Sequence, residues 1–141
     1  MNNILSVGWY HQHKQLCHGV KNGNEKAIHD AATMLASITP ADAVLIPLPS
    51  HYGRATYMLD IAHQIAKIKG CEVDPCIASA ERIRLYDAKK MGKTLELGFK
   101  LTHRPCGNLY LIDNCVDTQK TYNAACDLLG NIPMITIATT H

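Results

Sequence analysis

Apolar residues follow two kinds of pattern along this chain. Segments with the composition of buried strands lie at 4–10, 43–48, 108–112 and 133–139. Apolar residues at helical spacing lie between these segments, within 21–37, 58–68 and 122–129. Strands that alternate with helices indicate crossover connections, so the pattern predicts an α/β fold with a mostly parallel sheet.

Prolines, glycines and asparagines mark the expected ends of these elements. Pro47 has no backbone N–H, so the strand that starts at Ala43 should end near it. Gly70 is a typical residue just beyond a helix, and 22–24 offers an asparagine N-cap for the first helix. Residues 11–18 are interpreted as a His-rich turn, and 71–77 as a strand interrupted by Pro75. Residues 78–107 are interpreted as a partly helical excursion from the sheet.

Length and composition indicate one soluble domain. The chain has 141 residues, of which 47% are apolar and 18% charged, with one Trp and one Phe, so its core should be aliphatic. The six cysteines include no CxxC pair, and no early run resembles a signal peptide, which predicts a cytoplasmic protein with reduced thiols. No apolar run approaches the ~20 residues of a membrane span.

The charge pattern points to a small anionic ligand. The net charge is +2 and the basic residues form no dense block, which argues against nucleic acid or an anionic membrane as the partner. The segment 81–104, however, contains seven basic residues and only three acidic ones. The basic residues are Arg82, Arg84, Lys89, Lys90, Lys93, Lys100 and Arg104. Individually each of these residues is better explained as surface charge, and only as a set do they predict a lid over a polyanion.

The stretch 109–121, LYLIDNCVDTQKT, has the character of a ligand-binding loop. Asp113 is expected at the carboxyl end of a strand, and Thr118, Lys120 and Thr121 at the start of the next helix. Backbone N–H groups at a helix N-terminus, with hydroxyls beside them, suit a phosphate. The chain contains no GxGxxG pattern for a dinucleotide. The alternative for this stretch is an ordinary strand-to-helix turn.

LIDNCVDTQKT resembles the phosphoribosyl-pyrophosphate (PRPP) motif of type I phosphoribosyltransferases. That motif has hydrophobic residues, an acidic pair, two apolar residues and then (D/T)TGxT, and the version here is most similar to the DTGKT of hypoxanthine-guanine phosphoribosyltransferases. Upstream, VLIPLPSHYGRATYMLDIA resembles the pyrophosphate-loop region of competence-protein-F-like members. The resemblance spans about 43–129. It implies a Rossmann-like core from 40–77 and 108–141, with helices on both faces and a small hood from 1–20 and 78–107.

The resemblance also implies a reaction and its residues. A phosphoribosyl group would pass from PRPP to a nitrogenous base or amine, as in purine salvage, with release of pyrophosphate. The ribose hydroxyls would bind Asp113 and Asn114, and Asp113 would stabilise the oxocarbenium-like transition state. The 5′-phosphate would bind Asp117, Thr118, Gln119, Lys120 and Thr121, with Asp117 also the general base. The pyrophosphate would bind Ser50, His51, Tyr52, Gly53 and Arg54. Mg²⁺ would arrive with PRPP, and Asp113 is the candidate protein ligand.

Two positions depart from the motif and keep alternatives open. Asn114 replaces the second acid of the pair, and Gln119 replaces a glycine. If position 119 needs a positive φ, its side chain costs about 1–2 kcal/mol. The alternatives are a PRPP- or nucleotide-binding regulatory module without turnover and, by analogy alone, a competence-protein-F-like DNA-uptake accessory protein.

Residues 11–18 contain HxHxxxCH, which matches no standard zinc pattern. Cys115 is interpreted as a small buried residue. Homodimerisation is one way to cover a sheet edge.

Overall fold

The computed structural model describes residues 3–49, 56–79, 98–116 and 119–139. In chain order the elements are β1 (Ile4–Trp9), α1 (Tyr10–Lys21), α2 (Glu25–Ala36), β2 (Ala43–Pro47), α3 (Thr56–Lys69), β3 (Glu72–Val73), β4 (Ile77–Ala78), β5 (Lys100–Leu101), β6 (Asn108–Val116), α4 (Lys120–Leu129) and β7 (Met134–Thr139). Five strands form a parallel sheet in the order β1-β7-β6-β2-β3. Strands β4 and β5 form a separate antiparallel pair. The predicted α/β fold with a parallel sheet is confirmed.

The helices pack on both faces of the main sheet. One core cluster joins α1, α2 and α3 to the sheet, and the other joins α4 and β4 to its opposite face. The chain moves outward from β2 to β3 but in the opposite direction from β6 to β7. Because parallel crossovers keep one handedness, connections that run in opposite directions place their helices on opposite faces. The adjacent strands β2 and β6 therefore form the point at which the direction of winding reverses.

Burial follows the predicted pattern in the centre of the sheet. All five residues of β2 are buried, as expected for a strand covered on both faces. In α3 the predicted apolar stripe is buried at Met58, Ile61 and Ile65, whereas Ile68 is 53% exposed. This helix is followed by Gly70 at φ 77°. Among the described residues, no helix has the length and apolar character needed to cross a membrane.

The segment 11–18 is helical, so the predicted turn is wrong. Helix α1 starts directly after β1 and buries Cys17 and Val20, with Leu16 packed against the same core. Its many His, Gln and Lys residues face outward. Because they outnumber the buried residues, the short apolar stripe of the helix is difficult to recognise in the sequence. Strand β1 pairs with β7 in the main sheet and α1 packs in the first core cluster, so residues 4–21, where the hood was expected, are part of the sheet and of a helix packed against it.

Strand β6 is longer than predicted and continues to Val116 instead of ending at Ile112. Its pairing with β2 ends at Ile112, but its ladder with β7 continues through Cys115 and Val116. The residues after Ile112 therefore form strand and not loop. The predicted strand at 71–77 is two short strands that belong to different sheets. Most of the predicted excursion at 78–107, with most of the basic lid, lies outside the described residues.

Candidate functional site

The candidate site lies where β2 and β6 run side by side towards their carboxyl ends. Ligands of open α/β sheets bind at such reversal points. The backbone N–H of Leu48 donates to the carbonyl of Ile112 at 3.1 Å and holds the two chains together beyond β2. Seven of the expected site residues lie outside the described part of the chain: Ser50, His51, Tyr52, Gly53, Arg54, Asp117 and Thr118. The other five are placed, on β6 and at the start of α4.

The structure brings Asp113 and Thr121 together. One carboxylate oxygen of Asp113 accepts a hydrogen bond from the backbone N–H of Asn114 at 2.8 Å. The other accepts from the Thr121 hydroxyl at 3.4 Å, across the loop that joins β6 to α4. Both residues are half-buried. The acid therefore lies beside the first turn of α4, on a strand that its ladder with β7 holds in place.

Gln119 has a left-handed backbone, with φ 63° and ψ 12°. No other described residue except glycine has a positive φ. This is the position at which the resembled motif has glycine, so the chain keeps the backbone shape that a glycine would adopt freely. A side chain in this conformation costs about 1–2 kcal/mol. The Gln119 carbonyl accepts from the N–H of Asn123 at 2.9 Å and so begins the hydrogen bonding of α4.

The N-terminus of α4 has a positive electrostatic character. Its first turn contains no acidic residue, its first residue is Lys120, and Gln119 makes no side-chain capping hydrogen bond. Helix α2 differs, since Asn24 caps it and Glu25 lies in its first turn. Helix N-termini carry partial positive charge and attract anions, and lysine adds to this charge. This end of α4 can therefore accept a phosphate or carboxylate group.

Asn114 points away from Asp113 and into the protein. It is only 2% exposed, and its side-chain N–H donates to the backbone carbonyl of Cys17 on α1 at 3.2 Å. Its side-chain oxygen is buried and has no hydrogen-bond partner among the described residues. The backbone carbonyl of Asn114 accepts from the buried Thr136 hydroxyl at 2.9 Å. The amide thus attaches β6 to α1, and it is not brought together with the Asp113 carboxylate.

Sequence reasoning missed Cys17, which lies against both Asn114 and Cys115. Interaction with the Cys115 thiol, and then the positive charge of Lys21, lower the pKa of the Cys17 thiol. The same interaction, with burial, raises the pKa of Cys115. Recognising α1 as a helix would have placed Cys17 on its buried face. No sequence signal indicates that Thr136 bonds to Asn114.

The described residues contain no group of three or more His, Cys, Asp and Glu side chains arranged to hold a metal ion. In the HxHxxxCH segment, His18 instead pairs with the hydroxyl of Tyr10 at 3.0 Å. At the candidate site Asp113 offers one carboxylate. Mg²⁺ typically binds one or two carboxylates together with substrate phosphates and water, so Asp113 fits an ion that arrives with its substrate.

Searches among protein-family models, curated proteins and solved structures find no match to this chain. The likeness to phosphoribosyltransferases therefore rests on the motif residues themselves.

Proposed function

We propose that this protein is a phosphoribosyltransferase, which moves the phosphoribosyl group of PRPP to a nitrogenous base or amine and releases pyrophosphate. The observation that carries the proposal is the left-handed backbone of Gln119, at the glycine position of the resembled PRPP motif. An ordinary strand-to-helix turn with an N-cap has no need for a strained residue there, since extended backbone is usual for a capping residue.

The described residues support specific roles. The 5′-phosphate binds at the N-terminus of α4, where the backbone N–H groups of the first turn supply donors and Lys120 supplies charge. The ribose lies next to Asp113, whose carboxylate stabilises the positive charge that develops as the bond to pyrophosphate breaks. The pyrophosphate binds the segment that follows β2. Strand β2 is adjacent to β6 in the sheet. Neighbouring strands are about 4.8 Å apart, so one small molecule can reach both loops.

Magnesium, when bound with PRPP, neutralises charge on the departing pyrophosphate. Asp113 is the described residue that would hold it. The hydrogen bonds from the Asn114 N–H and the Thr121 hydroxyl fix the orientation of the Asp113 carboxylate.

A second function is favoured by Asn114. In the resembled family the acidic pair binds the ribose hydroxyls, but the Asn114 amide is buried against Cys17. A site with a phosphate-binding helix and one acid supports binding better than catalysis. The second candidate is therefore a module that binds PRPP or a nucleotide and regulates without turnover.

The two functions are separated by measuring binding and turnover on the same sample. Protein is mixed with PRPP, Mg²⁺ and a panel of nucleobases, pyrophosphate is quantified, and PRPP binding is measured by calorimetry. Pyrophosphate release that depends on one base supports the transferase. Micromolar binding without release supports the regulatory module. The absence of both contradicts the PRPP site.

Variants test the assigned roles. Lys120→Gln should weaken PRPP binding on the order of tenfold, because a charge-assisted contact to phosphate is lost. Lys67→Gln is the matched control, since Lys67 is an exposed lysine in the last turn of α3. Asp113→Asn should reduce turnover on the order of a hundredfold and change binding much less. Equal effects of the two lysine variants would contradict the phosphate site at α4.

A further inference from the structure

Strand β1 forms one outer edge of the main sheet. Among the described residues it pairs with β7, and no strand lies on its other side. The opposite edge of the sheet is β3, which has only two residues and so offers little backbone to another chain. Strand β1 has six residues, contains neither lysine nor proline, and keeps one register with β7 without a bulge. The features by which proteins usually protect a sheet edge are therefore absent from β1.

The ladder with β7 shows which backbone groups of β1 face outward. The carbonyl of Asn3 accepts from the N–H of Met134 at 2.9 Å, so the backbone of Asn3 faces β7. Along a strand in a parallel ladder, successive residues direct their N–H and C=O groups to opposite sides. Every second residue after Asn3 therefore also faces β7. The residues between them direct their backbone groups outward, and these are Ile4, Ser6 and Gly8.

Large apolar side chains lie along the same edge. Three such side chains are exposed among the described residues, and two of them belong to β1: Leu5 is 42% exposed and Trp9 is 52% exposed. Both share a face of the strand with Val7, which packs in the core cluster of α1, α2 and α3. Leu5 and Trp9 thus extend this apolar face beyond the core, where an added strand would cover them.

The elements next to this edge are basic. The two elements in most extensive contact with β1 are β7 and α1, and neither contains an acidic residue. Helix α1 has two exposed lysines, Lys14 and Lys21. It begins directly after β1, and its His13 ring lies so close to Gly8 that a Cβ there would be 2.5 Å from the His13 Nε2 atom. The edge is therefore complementary in charge to a segment with acidic side chains.

We propose that the outer edge of β1 binds an extended, acidic segment of a partner protein, which adds to the sheet as a further strand. A second copy of this chain fits the edge less well, because it would bring two basic α1 helices towards each other. Six paired residues are also few beside the roughly 20–30 residues per partner of a stable interface. The proposal does not rest on the proposed transfer of a phosphoribosyl group.

Two short capped peptides test the proposal, one that alternates glutamate with valine and one that alternates lysine with valine. Each is titrated into isotope-labelled protein while the backbone amide signals are followed by NMR. We expect the glutamate peptide to shift the signals of residues 4–9 and to protect the outward amides of Ile4, Ser6 and Gly8 from hydrogen exchange. It should bind more tightly than the lysine peptide on the order of tenfold at low salt, and added salt should reduce this difference.

Variants of β1 separate the backbone contribution from that of the side chains. Ser6→Pro removes an outward N–H and spares the ladder with β7, so it should weaken binding of the glutamate peptide on the order of tenfold. Ser6→Ala is the matched control, because it keeps the N–H and should bind as the natural chain does. If Ser6→Pro does not fold, Leu5→Glu at an exposed position gives a second test, in which charge repulsion should weaken binding of the same peptide.

Several outcomes would overturn the proposal. They are equal binding of the two peptides, no binding of the glutamate peptide at millimolar concentration, and binding that neither Ser6→Pro nor Leu5→Glu weakens. A dimer of the free protein that Ser6→Pro disrupts would overturn it as well, since a second copy would then occupy the edge. So would protection of the outward amides in the free monomer, since another part of this chain would then cover them.

Discussion

Gln119 has a backbone conformation that is unfavourable for any residue with a side chain. It connects β6 to α4 at φ 63°, a region that glycine occupies without strain. The strain persists because the ladder of β6 fixes one end of the connection and the packing of α4 fixes the other. Strained residues of this kind concentrate at ligand sites. Position 119 therefore has a backbone conformation typical of glycine although its residue is glutamine.

Replacement of Gln119 should show this strain directly. Gln119→Gly should be more stable than Gln119→Ala by about 1 kcal/mol in the free energy of unfolding, because alanine keeps a Cβ at positive φ and glycine does not. The comparison removes the glutamine side chain in both variants, so its own contacts cancel. Urea denaturation measures the difference. Equal stability of the two variants would contradict a left-handed residue 119.

Asn114 leads to a second prediction at this scale. Restoring the acid of the motif with Asn114→Asp should destabilise the fold by about 3 kcal/mol, since the side chain is 2% exposed and would lose its bond to the Cys17 carbonyl. Asp113→Asn, one residue earlier and half-buried, should cost much less. Urea denaturation of both variants checks the contrast. A stable Asn114→Asp protein with higher pyrophosphate release would indicate that the acid turns towards the ribose.

The sequence predicts part of this site and hides the rest. The motif predicts that Asp113 and Thr121 bind parts of the same ligand, and in the structure their side chains lie 3.4 Å apart. The direction of the Asn114 side chain is set by α1, which lies far away in the chain. Long-range contacts of this kind leave no trace in a local pattern. The same is true of Cys17 and Thr136.

At the scale of the elements, α2 offers a clear test of a predicted helix start. The side-chain oxygen of Asn24 accepts from the N–H of Ala27 at 2.9 Å and caps the helix. Asn24→Ala should lower the free energy of unfolding by about 1 kcal/mol. Asn22→Ala is the matched control in the same turn, and it should have a much smaller effect. Thermal or urea denaturation measures both, and equal losses would argue against the cap.

Elements with a wide apolar stripe were predictable, and elements defined by their partners were not. The stripe of α3 and the buried run of β2 identify both from local sequence. Helix α1 buries few residues among many polar ones, so composition obscured it. Strand β6 continues beyond its pairing with β2 because it is still paired with β7. The local sequence around Asp113 does not indicate that such a partner strand is present.

At the scale of the whole molecule, Cys76 links stability to pH. Burial first, and then the charge of Asp74, raise the pKa of the Cys76 thiol to about 11 from 9.0. The folded state therefore holds this proton more tightly than the unfolded state does. The resulting stabilisation is complete below pH 9.0 and is lost as the pH rises towards about 11.

Cys76→Ala should remove this dependence. At pH 7 the variant should be less stable by about 1 kcal/mol, because a buried sulfur is lost from the core. Between pH 9 and 11 its free energy of unfolding should fall less steeply than that of the natural chain, and the gap between the two should narrow. Urea titrations at three pH values measure the slopes. Parallel slopes would exclude a buried thiol with a raised pKa.

The pairing of β1 with β7 has a consequence for how the chain acquires its structure. Ile4 lies opposite Met134, so β1 has its ladder partner in a strand that is synthesised about 130 residues later. Contacts between such distant residues close slowly and are rarely part of an early nucleus. Until β7 emerges from the ribosome, β1 has no place in the sheet and β6 presents an open edge. That interval is when a strand from another nascent chain could pair in its place.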